Sequence, residues 1–333
     1  MKARLVRATT EERQCLGEVL PLDTPFGINI LPTNVCNFQC IYCGHNNRPE
    51  FYRPQYLEWA DFQKCIDDIK NFPQKIKTLL FTGLGEPLLH PMIGKMIKYA
   101  KDASVAKTIR VITNGSMLTK SVSDELIEGG LDALKISIQG TSDAVYRKMC
   151  QSPVLISQII DNIRYFYEHK TNTVVNIKIV DEALEDDCDR DKFFRIFGDI
   201  CDIINIEFLQ EYPESDSSKF ERRKDVNQSG EENTNNKICP IPFYYYSLYP
   251  DGEIVPSCAL FFDEYKSISL GNIKENDMAE IWTSEKFNRF RHEHLLEHRY
   301  HYKACSKCDS YINSLCRIED RLDEYKEKLL KVF

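Results

Sequence analysis

No run of apolar residues in this chain is long enough to cross a bilayer. The longest, TLLFTGL at 78–84, falls far short of the ~20 residues a membrane helix needs. No apolar stretch follows the basic residues of the N-terminal MKARLVRATTEERQC. A secretory signal is therefore not expected, and the chain reads as cytoplasmic with no membrane partner. Positive charge is not in excess either: 43 Lys and Arg face 51 Asp and Glu, a net charge of −8. That balance argues against a nucleic-acid backbone as partner. No internal repeat is evident.

Cysteine, in contrast, is plentiful. Thirteen cysteines are an odd number, in a long chain with no expected signal, so a disulfide scaffold is disfavoured and metal binding or chemistry is favoured. Cys36, Cys40 and Cys43 form one group; Cys239, Cys258, Cys305 and Cys308 form a second, trailed by Cys316. Cys15, Cys65, Cys150, Cys188 and Cys201 are scattered. With 333 residues, 42% of them hydrophobic, the chain can build a large domain and a small one.

Between residues 25 and 210, short β-branched runs alternate with amphipathic stretches. The strand candidates are 27–32, 76–83, 108–114, 133–139, 174–180 and 204–210, bounded by turn formers. Helix candidates are 57–72, with Phe62, Ile66 and Ile69 on one face, then 92–101, 121–130 with a capping serine, 157–169 and 190–200. This α/β alternation implies a parallel sheet with crossover helices. Six units suggest a partial (β/α)6 TIM-like barrel, with an open doubly wound sheet as the alternative. In either, sites gather at the C-terminal ends of the strands, and the first cysteine group follows the first of these strands.

The expected division is an N-terminal extension 1–24, a barrel 25–210, a flexible linker or lid 211–237, a cysteine-bearing domain 238–316 and a solvent-facing C-terminal helix 317–333. Segment 211–237 is polar, charged and nearly free of large aliphatics.

Cys36-x3-Cys40-x2-Cys43 offers three thiolates within eight residues, enough to close around one cubane cluster. A zinc knuckle completed by His45 is the competing reading. With Tyr42 before the last cysteine, the motif resembles the signature of radical S-adenosylmethionine (radical SAM) enzymes. The resemblance implies a 4Fe–4S cluster with one iron open to S-adenosylmethionine. It also implies reductive cleavage of that cofactor to a 5′-deoxyadenosyl radical, hydrogen abstraction from substrate, and an external one-electron donor such as flavodoxin or ferredoxin.

Further segments extend the resemblance. Thr82-Gly83-Leu84-Gly85-Glu86-Pro87 stands where the family has a glycine–glycine–glutamate element, with Leu84 a departure from it. Glu86 would hold the methionine amine, and Gly83 and Gly85 would allow close backbone approach. By the same resemblance Ser137, Gln139 and Asn114 contact the cofactor; Arg147 is a candidate partner for its carboxylate, since a guanidinium suits that group geometrically. An ordinary hydrogen-bonded turn competes for each turn residue, and a surface charge for Arg147.

The second cysteine group comes with Asp251-Gly252, Leu270-Gly271-Asn272 and Ile281-Trp282. On spacing alone, zinc and iron–sulfur compete evenly. The order resembles the SPASM extension or its shorter twitch form, a small domain with a β-hairpin and helix. That implies one auxiliary 4Fe–4S cluster on Cys239, Cys258, Cys305 and Cys308. His292, His294, His298 and His301 lie between; their spacing does not put three on one helical face, so a solvated run is expected. The implied substrate is a sugar, aminocyclitol or similar polar small molecule, oxidised or otherwise modified, with the auxiliary cluster as electron acceptor. A ribosomal peptide, epimerised or crosslinked, is the alternative. A non-catalytic iron–sulfur or zinc-binding partner protein is the reading from another class.

Overall fold

The computed structural model describes residues 1–6, 14–47, 53–210, 225–232, 236–256, 262–306, 308 and 316–333, and the account below concerns these. Ten strands form one sheet: β1 (Arg4–Leu5), β2 (Gly27–Ile30), β3 (Ile76–Phe81), β4 (Ala106–Thr113), β5 (Ala133–Ile138), β6 (Val174–Val180), β7 (Ile203–Glu207), β8 (Tyr245–Leu248), β9 (Glu253–Val255) and β10 (Gly271–Asn272). The spatial order is β1-β7-β6-β5-β4-β3-β2-β8-β9-β10. β2 to β7 are parallel neighbours in chain order, the sheet of a partial barrel.

Helices α1 (Leu16–Val19), α2 (Trp59–Ile69), α3 (Ile93–Ala103), α4 (Lys120–Glu128), α5 (Asp143–Cys150), α6 (Ile156–His169) and α7 (Asp187–Phe197) come first in the chain. α2 to α7 are the crossovers that a parallel sheet requires. The strands alternate in a way that explains the layering. Ile109, Val111, Leu134, Ile136, Val175 and Ile177 are fully buried, as expected of a strand face packed under helices. The intervening Thr108, Arg110, Lys135, Ser137, Asn176 and Lys178 lie on the other face, which is the barrel lumen. On α2, Phe62, Ile66 and Ile69 are buried together, as their spacing indicates. The cap of α4 is Thr119, whose hydroxyl accepts the Val122 N–H, and not the serine expected at 121.

The sheet extends beyond the barrel at both edges. β1, from the N-terminal extension, pairs parallel with β7. β8 pairs parallel with β2, with Gly27 opposite Tyr245 and Ile30 opposite Leu248. β8 and β9 form the expected hairpin, and β10 pairs antiparallel with β9. α8 (Met278–Thr283), α9 (Glu285–Leu295) and α10 (Lys303–Ser306) follow. Trp282 is buried and its Nε1 donates to the Leu22 carbonyl at 2.7 Å, joining α8 to the N-terminal segment.

Two expectations change. Residues 317–333 do not form a solvent-facing helix: they make short turns and one helical turn at Lys326–Leu329. Leu322 and Leu329 are fully buried in a second core with Leu16, Leu20, Ile238, Phe243 and Leu295. Of the segment 211–237, residues 211–224 and 233–235 lie outside the described residues. Residues 225–232 make a packed loop: Val226 bridges Glu232, Phe208 N–H donates to the Gln228 carbonyl at 3.0 Å, and Asn227 is buried.

Candidate active site

The loop leaving β2 carries the first cysteine group and is held from three sides. Asn34 Nδ2 donates to the Arg53 carbonyl at 2.9 Å, and its Oδ1 accepts the Gln55 N–H at 2.7 Å. A ring nitrogen of the buried His45 lies 2.8 Å from the Asn34 carbonyl. From the side of β3, Glu86 N–H donates to the Val35 carbonyl at 2.8 Å. From the end of α5, the carbonyls of Met149 and Cys150 accept Ile41 N–H and Gln39 N–H, each at 2.9 Å. Phe38, inside the motif, is buried edge-on against Tyr146. His45 therefore braces the loop backbone.

Cys36, Cys40 and Cys43 are half-buried in this frame. Burial, with Cys43, Cys150 and Cys36 nearby, pushes the Cys40 thiol well above the usual range; its contact with Tyr42 works the other way. Thiols that crowd one another in a desolvated pocket become thiolates when a cation compensates them, which is what cluster iron supplies. Phe38 N–H also donates to Cys36 Sγ at 3.4 Å, a contact that favours thiolate. The residues fit an iron–sulfur cluster.

Around the loop, the strand ends gather the other expected residues. Glu86 is buried, and its carboxylate accepts Leu88 N–H at 3.0 Å, the Thr113 hydroxyl at 2.6 Å and Asn114 N–H at 2.7 Å. Burial pushes its pKa up and these three bonds oppose that. Gly85 sits against the cysteine loop itself: a Cβ there would meet the Val35 carbonyl oxygen at 2.3 Å and that of Thr33 at 2.6 Å. Gly83, at φ 126°, packs on Leu31. Both glycines thus have a packing reason in this structure. Asn114 Nδ2 donates to Asn37 Oδ1 at 3.0 Å, and Asn37 Nδ2 donates to Ser116 Oγ at 2.8 Å. Tyr42 Oη donates to Gln139 Oε1, while Gln139 Nε2 donates to the Ser137 carbonyl at 3.2 Å.

Tyr42, Glu86, Asn114, Ser137 and Gln139 therefore share one rim with the cysteine loop. Arg147 is exposed on α5. Asn37 and Thr113 were not singled out from the sequence; Asn37 lies inside the cysteine motif, but its partners come from a strand end 77 residues away.

The lumen below is polar. Glu207 Oε1 lies 2.5 Å from Lys135 Nζ, and Oε2 lies 2.8 Å from Lys178 Nζ and 2.6 Å from Gln228 Nε2. Burial opposes the charge on Glu207, yet Lys135 and Lys178 outweigh it and hold the carboxyl far below the carboxylate range. Burial in turn lowers the Lys135 pKa. Asn176 and Asn205 line the same cavity of about 650 Å³, and among the described residues their Oδ1 atoms have no hydrogen-bond partner.

In the second group, Cys239 precedes the turn Ile241–Phe243 that enters β8. Cys305 lies in α10, and Cys308 N–H donates to its carbonyl at 3.1 Å. These three are half-buried; Cys316 is buried. Cys258 lies outside the described residues.

Comparison with known proteins gives the family. The chain belongs to the radical SAM superfamily: residues 30–191 match the Radical SAM superfamily, and residues 239–309 match SPASM, an iron–sulfur cluster-binding domain. It is accordingly an enzyme class that binds 4Fe–4S clusters and S-adenosylmethionine. Among curated relatives, the tungsten-containing aldehyde ferredoxin oxidoreductase cofactor-modifying protein of Pyrococcus furiosus is 24% identical over 311 residues, 83% of this chain and 85% of that protein. The GTP 3′,8-cyclase of Chlorobaculum tepidum is 33% identical over 111 residues, 33% of this chain and 32% of that protein. Among solved structures, Streptococcus suis SuiB bound to S-adenosylmethionine superposes with a TM-score of 0.64 at 14% identity, covering 83% of this chain and 70% of that chain. That likeness is one of fold.

Proposed function

We propose that this enzyme oxidises or otherwise modifies a polar small molecule, of the sugar or aminocyclitol kind, by S-adenosylmethionine-dependent hydrogen abstraction. In this reading Cys36, Cys40 and Cys43 hold the catalytic 4Fe–4S cluster, and Cys239, Cys258, Cys305 and Cys308 hold one auxiliary cluster. When bound, the cofactors supply a one-electron route to breaking an unactivated C–H bond. The chain's own residues do the rest. Tyr42, Gln139, Ser137 and Asn114 form the cofactor rim, with Gly83, Gly85 and Glu86 shaping it from the side of β3; Arg147 is an outlying candidate for the cofactor carboxylate.

The observation that carries the substrate class is the polar lumen. Beside the ion-paired Lys135, Glu207 and Lys178, the side-chain carbonyls of Asn176 and Asn205 have no partner among the described residues; a ligand hydroxyl or amino group would satisfy them, and an apolar ligand would leave each unpaired at a cost of ~1–3 kcal/mol. Two curated relatives carry names that describe a cofactor-modifying protein and a GTP 3′,8-cyclase, which supports a small-molecule substrate.

The test starts from iron and sulfide content after anaerobic reconstitution. About eight irons, falling to about four in a Cys36/Cys40/Cys43→Ala variant, support two clusters; about four in the unaltered chain remove the auxiliary one. Candidate sugars and aminocyclitols are then screened in deuterated water. A product two hydrogens lighter supports oxidation. Solvent deuterium in an isomeric peptide product, with no turnover of small molecules, replaces this reading with epimerisation.

A further inference from the structure

The histidine-rich stretch at the end of α9 belongs to neither cysteine group. His294 serves the core: it is buried, its Nδ1 lies 2.9 Å from the Phe290 carbonyl, and its ring lies against Phe290 and Tyr302. Its neighbours take a different course. α9 ends at Leu295, Glu297 adopts a left-handed φ of 62°, and the chain doubles back through the turn Arg299–His301. That reversal sets His298 and His301 beside Glu293, on the last turn of α9.

The three side chains converge on one point. His298 Nδ1 lies 3.2 Å from Glu293 Oε2, and His301 Nδ1 lies 3.6 Å from the same oxygen. The two imidazole centroids are 5.0 Å apart. One ligand atom from each residue lies within 4.8 Å of the others. A four-coordinate ion with metal–nitrogen and metal–oxygen bonds of about 2.0–2.1 Å places its donors about 3.3 Å apart. The two nitrogen–oxygen separations bracket that value, and the third, nitrogen–nitrogen separation stays within 4.8 Å.

We propose that Glu293, His298 and His301 form a binding site for a divalent transition-metal ion of the zinc class, distinct from both cysteine groups. Two imidazoles and a carboxylate suit Zn²⁺, Co²⁺, Ni²⁺ or Fe²⁺, and with no thiolate in the set they do not hold an iron–sulfur cluster. His301 is 65% exposed and His298 45%, so the site opens to solvent and leaves room for water as a further ligand. Occupancy ties α9 to a turn that ends four residues before Cys305. The ion thereby braces the segment that presents Cys305 and Cys308, whichever cluster those cysteines hold.

The test titrates cobalt(II) chloride anaerobically into the full chain with its clusters loaded. One equivalent binds with d–d absorption and no thiolate-to-cobalt charge-transfer band, zinc chloride displaces it, and iron content is unchanged. His301→Ala, at an exposed position, and His298→Ala, at a half-buried one, keep their iron and lose that equivalent; Glu293→Gln weakens it at least tenfold. Any of three results overturns the proposal: retention of the equivalent in both histidine variants, a thiolate charge-transfer band on the bound cobalt, or no binding at tenfold molar excess.

Discussion

The Glu86 carboxylate accepts the backbone N–H of Asn114 at 2.7 Å, tying the loop after β3 to the end of β4. With the Thr113 hydroxyl and Leu88 N–H also satisfied by Glu86, removal of this side chain leaves three buried donors short of an acceptor. Glu86→Ala is expected to lower unfolding stability by roughly 3 kcal/mol, and Glu86→Gln by about half as much. Urea melts read this. Equilibrium binding of S-adenosylmethionine reads the second role: both variants bind it more weakly, and unchanged affinity in Glu86→Gln would leave Glu86 a structural brace alone.

Gly85→Ala puts a methyl group 2.3 Å from the Val35 carbonyl oxygen. Backbone atoms cannot rotate away as a side chain can, so the cysteine loop must move. The variant is expected to fold, with its far-ultraviolet circular dichroism preserved, and to retain about half the reconstituted iron. Full iron content would show that the loop yields without losing its ligand geometry.

Tyr42→Phe deletes the hydroxyl that donates to Gln139 while leaving Cys36, Cys40 and Cys43 in place. Iron content is expected to stay constant. S-adenosylmethionine affinity is expected to drop several-fold, in line with the ~1 kcal/mol of one hydrogen bond. Binding monitored by the perturbed electron paramagnetic resonance signal of the reduced cluster separates the two readouts.

Glu207 sets a pH dependence whose sign follows from its partners. Lys135 and Lys178 hold its folded pKa far below the ordinary 4.5, so the unfolded chain binds the proton more readily. Its contribution is complete above the ordinary value and is lost as pH falls below about 4.5. Glu207→Gln is expected to flatten that acid limb while lowering stability at neutral pH, as followed by thermal melts across pH. Lys178→Met, which leaves a bulky apolar group in the lumen, is expected to raise the KM for substrate and to spare the slow cleavage of S-adenosylmethionine without substrate.

The barrel strands were legible because their residues alternate between helix-covered and lumen faces and are bounded by turn formers. The expected 76–83 and 133–139 became Ile76–Phe81 and Ala133–Ile138. α5 was not foreseen: its eight residues lie between Ser142, the cap, and Gln151, which ends it at φ 49°, with no glycine to announce the stop. The cysteine motif located its loop, but not the partners that hold it. Asn114 with Asn37, and Lys178 with Glu207, meet through strand register and loop packing, which one sequence does not display. The tail at 317–333 reads as solvated because charged residues dominate it; Leu322 and Leu329 are buried, with Tyr325, Leu330 and Phe333 packed beside them. The gathering of His298 and His301 at Glu293 depends on a chain reversal that helical spacing could not anticipate.

The parallel pairing of β8 with β2 hydrogen-bonds the strand that leads to Cys36 to the strand that follows Cys239. A displacement of either strand would be carried to the other through that ladder, so a substitution that disturbs Tyr245–Leu248 would be felt at the start of the cysteine loop.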